Sequence, residues 1–353
     1  MAWGVTFGAL AFILVTTDLS TLWSSLRGAN WLLFWGVTAV AFAALLVVDT
    51  AAVAWLFRRY HAPRTTFREV LPVRGASYIL SILNHAAGSA AMSLYFSKRH
   101  RVPLLEGAAS ILLLLFVDLL VLVIMTTLGM SLLPESWRSA VLWLALAFAV
   151  GVALHLLFWR APWSWGPLER VRTHPHLRGF RDATIADYGV MIALRAPVVG
   201  IYVLIHLGTL AAFSIHVPVP HLLVLVPVQM IIAGLPLSIS GIGTVQLAQR
   251  ELYRPFAVSV DQIDAYGLSL VLCFLVPRIL IGLVCLRFTV RSLEEPHAAA
   301  PDTAAPDTAA PDTAAPDTAA PEPGSPRLQE RSFGQPGDDN AAGRHATASE
   351  GPR

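Results

Sequence analysis

The chain has few charged residues and almost no cysteine, and both absences restrict what it can be. Only 14% of its 353 residues are Asp, Glu, Lys or Arg, and stretches such as Leu112–Leu128 and Val141–Phe158 hold at most a single charge. A soluble helix needs a polar face, so such runs exclude a large soluble catalytic domain and a nucleic-acid-binding surface. Cys273 and Cys285 lie about 18 Å apart along one apolar segment, which excludes a disulfide between them.

Basic residues are missing from the start of the chain. None precedes Arg27, so the N-terminal segment lacks the charged region of a cleaved signal peptide, and we interpret it as a first membrane span. One crossing needs about 20 apolar residues. The sequence therefore predicts an all-α polytopic membrane protein with six full spans, at residues 3–20, 31–57, 104–128, 137–159, 184–211 and 263–288.

Two further apolar stretches, at 72–97 and 221–253, are interrupted in the middle by small and polar residues. The breaks are Asn84–Ser89 and Leu235–Thr244. Non-helical backbone at membrane depth is tolerated only where protein or a water-filled cavity satisfies its polar groups. Both stretches are therefore predicted to be re-entrant or broken helical hairpins.

The basic residues predict the orientation. Most of those in the first 294 residues fall in four regions: Arg58, Arg59, Arg64, Arg68 and Arg74; Lys98, Arg99 and Arg101; Arg160, Arg170, Arg172, Arg178 and Arg181; Arg287 and Arg291. By the positive-inside rule these regions are cytoplasmic, as are both termini. The first hairpin then opens to the cytoplasm and the second to the outside. The halves, about 1–130 and 131–294, have opposite orientation, which predicts an inverted repeat.

Residues 295–353 have a different composition. They contain no Trp or Ile and carry 4 basic and 10 acidic side chains, whereas the first 294 residues carry 21 and 13. Four copies of Pro-Asp-Thr-Ala-Ala follow one another at 301–320. Such a segment buries too little apolar surface to offset its chain entropy, so we expect a disordered cytoplasmic tail.

Ionisable side chains inside spans cost about 2.5–3.5 kcal/mol each on insertion scales, so each marks a candidate functional position. The cases are Asp49, Asp118, Arg195 and Arg278, with His155 and His206 as weaker ones. Asp118 with Arg278, or Asp49 with Arg195, would compensate each other on burial. Such pairs would hold helices together; alternatively, the arginines would face a central cavity and bind an anionic head group in a bidentate fork.

The breaks offer a second source of anion affinity. A half-helix that begins inside the membrane points unpaired N–H groups at the gap, and a kink formed by small residues is the alternative reading. We expect no metal or cofactor, since His174-Pro175-His176 has no further ligand at metal spacing. The candidate substrate-binding residues are Asn84, His85, Gly88, Ser89, Asp118, Arg195, Ser238, Ser240, Gly241, Gly243, Gln246 and Arg278.

Three motifs resemble the flippase-like transmembrane family of the lysylphosphatidylglycerol synthases. They are Leu80-Ser81-Ile82-Leu83-Asn84 with Gly88, the basic loop leading to Leu104–Asp118, and Leu235-Pro236-Leu237-Ser238 with Gly241-Ile242-Gly243. The resemblance covers most of residues 5–290. It implies a membrane domain that moves a phospholipid or a polyprenyl-linked lipid between leaflets, with two re-entrant regions meeting near the middle of the bilayer.

The chain departs from that family at several charged positions. The family's first break usually has a Pro-Gly pair followed by Arg and Glu and then another Arg, and the corresponding residues here are Ala87, Ser89, Met92 and Tyr95. Gln246 stands where Glu is common.

The resemblance and the charge pattern together favour a non-enzymatic lipid flippase. Its partners would be an anionic or polyprenyl-linked lipid and envelope-biosynthesis proteins, without nucleic acid. The alternatives are a non-transporting membrane subunit that supports a cell-envelope glycosyltransferase or assembly machine, and a membrane-embedded transferase that uses His85 or His155.

Overall fold

The structure is a computed structural model that describes residues 2–83, 85–160, 166–235 and 241–294, and within these ranges the only regular secondary structure is helical. In chain order the α-helices are α1 (Ala2–Thr16), α2 (Leu19–Gly28), α3 (Trp31–Tyr60), α4 (Phe67–Leu83), α5 (His85–His100), α6 (Leu104–Leu128), α7 (Glu135–Arg160), α8 (Gly166–Arg172), α9 (Arg178–Asp182), α10 (Ile185–Ala212), α11 (Val219–Gly234), α12 (Thr244–Tyr253) and α13 (Val260–Glu294). Short 3-10 turns lie at Met130–Leu132, Pro175–Leu177 and Arg254–Phe256. The predicted tail, 295–353, lies outside the described residues.

Among the described residues, five helices are long and apolar enough to cross a membrane: α3, α6, α7, α10 and α13. They coincide with five of the six predicted spans, so the chain is an all-α, multi-pass membrane protein. The first predicted span is shorter than expected. α1 has 15 residues, about 22 Å at 1.5 Å per residue, because Asp18 accepts the backbone N–H of Ser20 and begins α2 there.

Both interrupted stretches are pairs of shorter helices. The first break separates α4 from α5, and Asn84 between them lies outside the described residues. The second break separates α11 from α12 and includes residues 236–240, which are likewise not described. The prediction of two broken helical segments is therefore confirmed at the level of the helices that flank each break.

The contacts between helices are paired in the way that an inverted repeat predicts. In such a repeat, α3, α4, α5 and α6 of the first half are equivalent to α10, α11, α12 and α13 of the second. The contact between α4 and α13 then has the contact between α11 and α6 as its equivalent. Likewise, the contact α3–α4 corresponds to α10–α11, and the contact α5–α6 corresponds to α12–α13. All of these contacts are present. α3 and α10 pack against each other at the centre. The peripheral helices differ, because α1 contacts α12 whereas α7 packs on α6.

Small residues allow α4 and α13 to approach closely. A Cβ atom on Gly75 would lie 2.8 Å from Cβ of Cys285, and one on Gly282 would lie 2.9 Å from Cδ1 of Ile79. Reciprocal small residues of this kind are typical of helix pairs in membranes, where close backbone approach replaces the hydrophobic effect as a source of attraction. The crossing holds the end of α4 beside the middle of α13, where Arg278 lies.

Candidate functional site

A buried ion cluster joins α3, α6 and α10. Arg195 of α10 donates Nη1 to Oδ1 of Asp49 at 2.5 Å and Nη2 to Oδ2 of Asp118 at 2.9 Å. Its Nε also donates to Oδ1 of Asp118, so that this carboxylate is held in a bidentate fork. The side chains of Arg195 and Asp49 are 8% and 5% exposed. The guanidinium therefore ties three helices together inside the protein.

The first hairpin contributes a second arginine to this cluster. Arg74 of α4 donates Nη2 to Oδ2 of Asp49 at 2.9 Å, and the hydroxyl of Tyr78 donates to the same oxygen at 2.9 Å. Arg74 also directs Nη1 at the sulfur of Met92 in α5, 3.4 Å away. We call Asp49, Arg74, Asp118 and Arg195 the ion cluster. It contains two cations and two anions, so its formal charge is zero.

The two pairings considered from the sequence have different outcomes. The pair of Asp49 with Arg195 is present. The pair of Asp118 with Arg278 is wrong, because both oxygens of Asp118 are bound by Arg195. Two arginines and two aspartates compensate one another at one point, and Arg278 is left outside the cluster.

A cavity of about 210 Å³ lies between the ends of the two hairpins. The end of α4 borders it with Ser81 and Ile82, and the second break borders it with Gly241 and Ile242. α10, α11, α12 and α13 complete the walls, mostly with apolar side chains. The end of α4, just before the first break, and the second break thus border one shared space.

Arg278 of α13 lies on the wall of this cavity. Within the described part of the chain its guanidinium makes no hydrogen bond or ion pair, and its Cζ lies 5.8 Å from the ring centroid of Phe274. Tyr202 of α10 stacks on the same ring at a centroid distance of 5.6 Å and also borders the cavity. One cationic group and one phenol are therefore held against Phe274, next to an apolar space.

Most other polar side chains of the cavity wall already have partners. His206 shares a hydrogen bond of 2.7 Å between Nδ1 and the hydroxyl of Tyr266. Gln229 donates Nε2 to the Tyr253 hydroxyl and accepts from Gln249. Ser81 donates to the Ser77 carbonyl. Among the described polar side chains of the wall, these bonds leave the Arg278 guanidinium and the Tyr202 hydroxyl available to an anion.

Gln246 has a structural task at the second break. Its Oε1 accepts the backbone N–H of Gly243 at 2.6 Å and its Nε2 donates to the carbonyl of Gly267 at 3.2 Å, so it closes the first turn of α12 and ties it to α13. Gly241 and Gly243 have φ of +77° and +89°, a backbone region that favours glycine. A Cβ on Gly243 would lie 2.5 Å from Cβ of Ala9 in α1.

The predicted site residues therefore fall into four groups. Gly241, Gln246 and Arg278 border the cavity; Asp118 and Arg195 belong to the ion cluster. Gly88 lies where α5 crosses α4, against the Ser81 hydroxyl, and Ser89 and Gly243 border neither cavity nor cluster. The last group lies outside the described residues: Asn84, Ser238, Ser240 and the side chain of His85.

Sequence reasoning missed two groups. Arg74 was assigned to a cytoplasmic loop, although it lies one turn inside the apolar run that begins at Val70, with Tyr78 four residues later on the same helix face. Tyr202 and Gln229 gave no signal, because a single polar residue in a long apolar span has no periodicity that distinguishes it. Among the described residues no group of three metal-ligating side chains is present.

The family comparison agrees with this architecture. The model of the family described as "Lysylphosphatidylglycerol synthase TM region" matches residues 1–284, which is most of the chain. No curated protein and no solved structure matches it. The match covers all the helices that form the ion cluster and α13 as far as residue 284.

Proposed function

This chain belongs to the family of the lysylphosphatidylglycerol synthase TM region, and on that premise we propose that it moves a lipid between the leaflets of the bacterial cytoplasmic membrane. The lipid is an anionic phospholipid or a polyprenyl-phosphate-linked lipid. The observation that carries the proposal is the cavity between the two hairpins, with Arg278 on its wall. Both termini are cytoplasmic in this proposal, as the basic loops predict.

The cavity has the composition that a lipid head group requires. A phosphate is bound well by a guanidinium at low dielectric, and the apolar walls accept the carbon atoms next to the phosphate. An arginine without a counterion inside a membrane is costly, and a bound anion removes that cost. The cavity therefore favours an amphiphile with a negative charge over a neutral solute.

The ion cluster supplies a closure on one side of the cavity. On α4, Arg74 precedes Ser81 of the cavity by seven residues, and on α10, Arg195 precedes Tyr202 by the same number. Seven residues are about two turns of helix. The cluster thus lies beneath the cavity towards the basic loops, and its bonds hold α3, α4, α6 and α10 together there. Alternating access requires these helices to separate when the cavity opens to the cytoplasm.

Reconstitution into liposomes tests the proposal. Purified protein is incorporated into vesicles that contain an acyl-labelled fluorescent phosphatidylglycerol, and dithionite then quenches the label in the outer leaflet. We expect quenching beyond the outer-leaflet fraction with the wild type and at least a tenfold slower rate with Arg278→Ala. Arg287→Ala is the matched control, because Arg287 is exposed on the same helix.

One result would remove the proposal. If the wild type moves none of a broad panel of anionic and polyprenyl-linked lipids, while protein recovered from the vesicles is still folded, lipid translocation is not its function.

A non-transporting membrane subunit is the second candidate, and one observation favours it. Met92 and Tyr95, at positions where the related family usually carries charge, are buried in the apolar core formed around α3, α5 and α6. α7, all of whose residues are described, buries only Val141 and leaves a long face for another protein or for lipid. Co-purification of an envelope protein in a fixed ratio, with Arg278→Ala and Asp118→Asn both tolerated in cells, would favour this candidate.

A further inference from the structure

Four aspartates of the described helices α3, α6, α10 and α13 are paired with arginines. Asp49 and Asp118 bind Arg195, and Asp49 also binds Arg74. The other two are at the ends of spans, where Asp187 binds Arg59 and Asp264 binds Arg250. No carboxylate is among the described residues that border the cavity, and Arg278 is the single arginine there. The cavity wall therefore has a formal charge of +1.

This charge distribution discriminates between head groups. A phosphate next to Arg278 forms a charge-assisted pair, whereas an added ammonium group in the same space meets a like charge without a carboxylate to balance it. The carboxylates of the ion cluster, which lies about two turns of helix from the cavity, are bound by Arg195 and Arg74. To compensate an ammonium group they would have to leave Arg195, which would expose buried charge.

The size of the cavity discriminates as well. Its volume of about 210 Å³ is below the roughly 300–1,000 Å³ that is typical of sites for drug-sized ligands. A sugar needs several hydrogen-bonding groups on the wall, but the side chains of His206, Gln229 and Gln246 are bonded within the protein. Tyr202 borders the same cavity as Arg278, and its hydroxyl makes no hydrogen bond with another described residue.

We infer that the cavity is selective for a phosphate with a compact substituent that carries no positive charge, held by the Arg278 guanidinium and the Tyr202 hydroxyl. It excludes the aminoacylated, cationic phospholipid that the family's name describes, and it excludes glycosylated head groups. This inference rests on the proposed function and narrows its substrate class. Tyr202 is thereby a specificity residue that the sequence did not indicate.

A head-group series with one labelled acyl chain tests the inference. Vesicles contain phosphatidic acid, phosphatidylglycerol, lysylphosphatidylglycerol or a glycosylated phospholipid, and the transport rates are compared. We expect the first two to move at least tenfold faster than the last two. Transport of lysylphosphatidylglycerol at the rate of phosphatidylglycerol would overturn the inference and leave the proposed function standing; no transport of any lipid would count against the proposed function.

Measurements of lipid binding, on the wild type and on two variants, provide a second test of the inference. Native mass spectrometry of the protein with the same four lipids should show the same preference, and equal binding of all four would overturn the inference even without transport. Tyr202→Phe should weaken retention of phosphatidic acid several-fold at unchanged thermal stability. Val271→Glu adds a carboxylate to the cavity wall, and we expect it to shift the preference towards lysylphosphatidylglycerol.

A soluble competitor separates a lipid site from a site for the free anion. Inorganic phosphate at millimolar concentration should leave phosphatidic acid binding unchanged, because the apolar walls contribute to lipid affinity and give nothing to the free ion. Displacement of the lipid by inorganic phosphate at that concentration would overturn the assignment of a lipid head group.

Discussion

At the scale of single residues, the ion cluster shows why charges inside a membrane protein are found in balanced sets. Removing one partner from a buried pair leaves the other without compensation and costs about 3–5 kcal/mol, whereas removing both can be nearly neutral. Here Arg195 serves two carboxylates, while Arg74 and Tyr78 serve only Asp49. Loss of Arg195 alone therefore leaves the cluster with an excess negative charge, whereas loss of both Arg195 and the Asp118 charge leaves it neutral.

We expect Arg195→Met to destabilise the protein strongly, because the cluster then has one cation and two carboxylates. Arg195→Met with Asp118→Asn restores formal neutrality, since Asp49 keeps Arg74, and it should recover most of the lost stability. The midpoint of thermal unfolding in detergent, followed by the fluorescence of the 10 tryptophans, is the measurement. A double variant that unfolds as early as the single one would show that packing of Arg195, and not charge balance, dominates.

At the scale of helices, the sequence predicted more of the elements than of their contacts. Apolar length and the positive-inside rule depend on composition, so five spans and both breaks were identified before any contact was known. The predicted length of the first span is too great, because apolar residues continue towards Asp18. The Asp18 side chain caps α2, and α1 ends before it. Partners such as Asp118 with Arg195, 77 residues apart, depend on helix packing, which single-chain periodicity does not encode.

A histidine connects three elements at the end of the basic loops. His61, immediately after α3, places Nε2 at 2.7 Å from the Ser110 hydroxyl and Nδ1 at 3.2 Å from Oε1 of Glu106, both on α6. Gly179 of α9 lies directly against the Ser110 hydroxyl. Burial lowers the pKa of His61, and the Glu106 carboxylate offsets this only in part, with Arg178 nearby adding to the lowering. The ring is therefore neutral, donating to Glu106 and accepting from Ser110.

This arrangement predicts a pH dependence of stability. Because the pKa of His61 is lower in the folded protein than its ordinary value of about 6.5, the unfolded chain binds the proton more readily. The stabilisation is present above that value and is lost as pH falls below it. We expect the unfolding midpoint to fall by a few degrees between pH 7.5 and 5.5, and His61→Gln to reduce this slope. His216→Gln, at an exposed loop position, is the control; an equal slope in both variants would assign the effect to other groups.

At the scale of the whole molecule, the orientation of the chain in the membrane decides which side of the cavity the ion cluster closes. The cluster lies towards the basic loops, so it is the cytoplasmic closure if those loops are inside, and the outer closure if they are outside. The inverted arrangement of contacts does not decide this, since it looks the same from either face. Orientation is therefore the property on which the direction of transport depends, and cysteine labelling measures it directly.

The native thiols permit such a measurement. Cys273 is buried and Cys285 half-buried, both on α13, so a Cys285→Ala background reports mainly on added cysteines. We expect an impermeant maleimide to label Ser24→Cys and Glu135→Cys in intact cells, and to label Arg64→Cys and Arg170→Cys only after permeabilisation; all four positions are exposed. The reverse pattern would place the ion cluster on the outer side. An epitope fused before Met1 that is accessible in intact cells would show that α1, with 15 residues, does not cross.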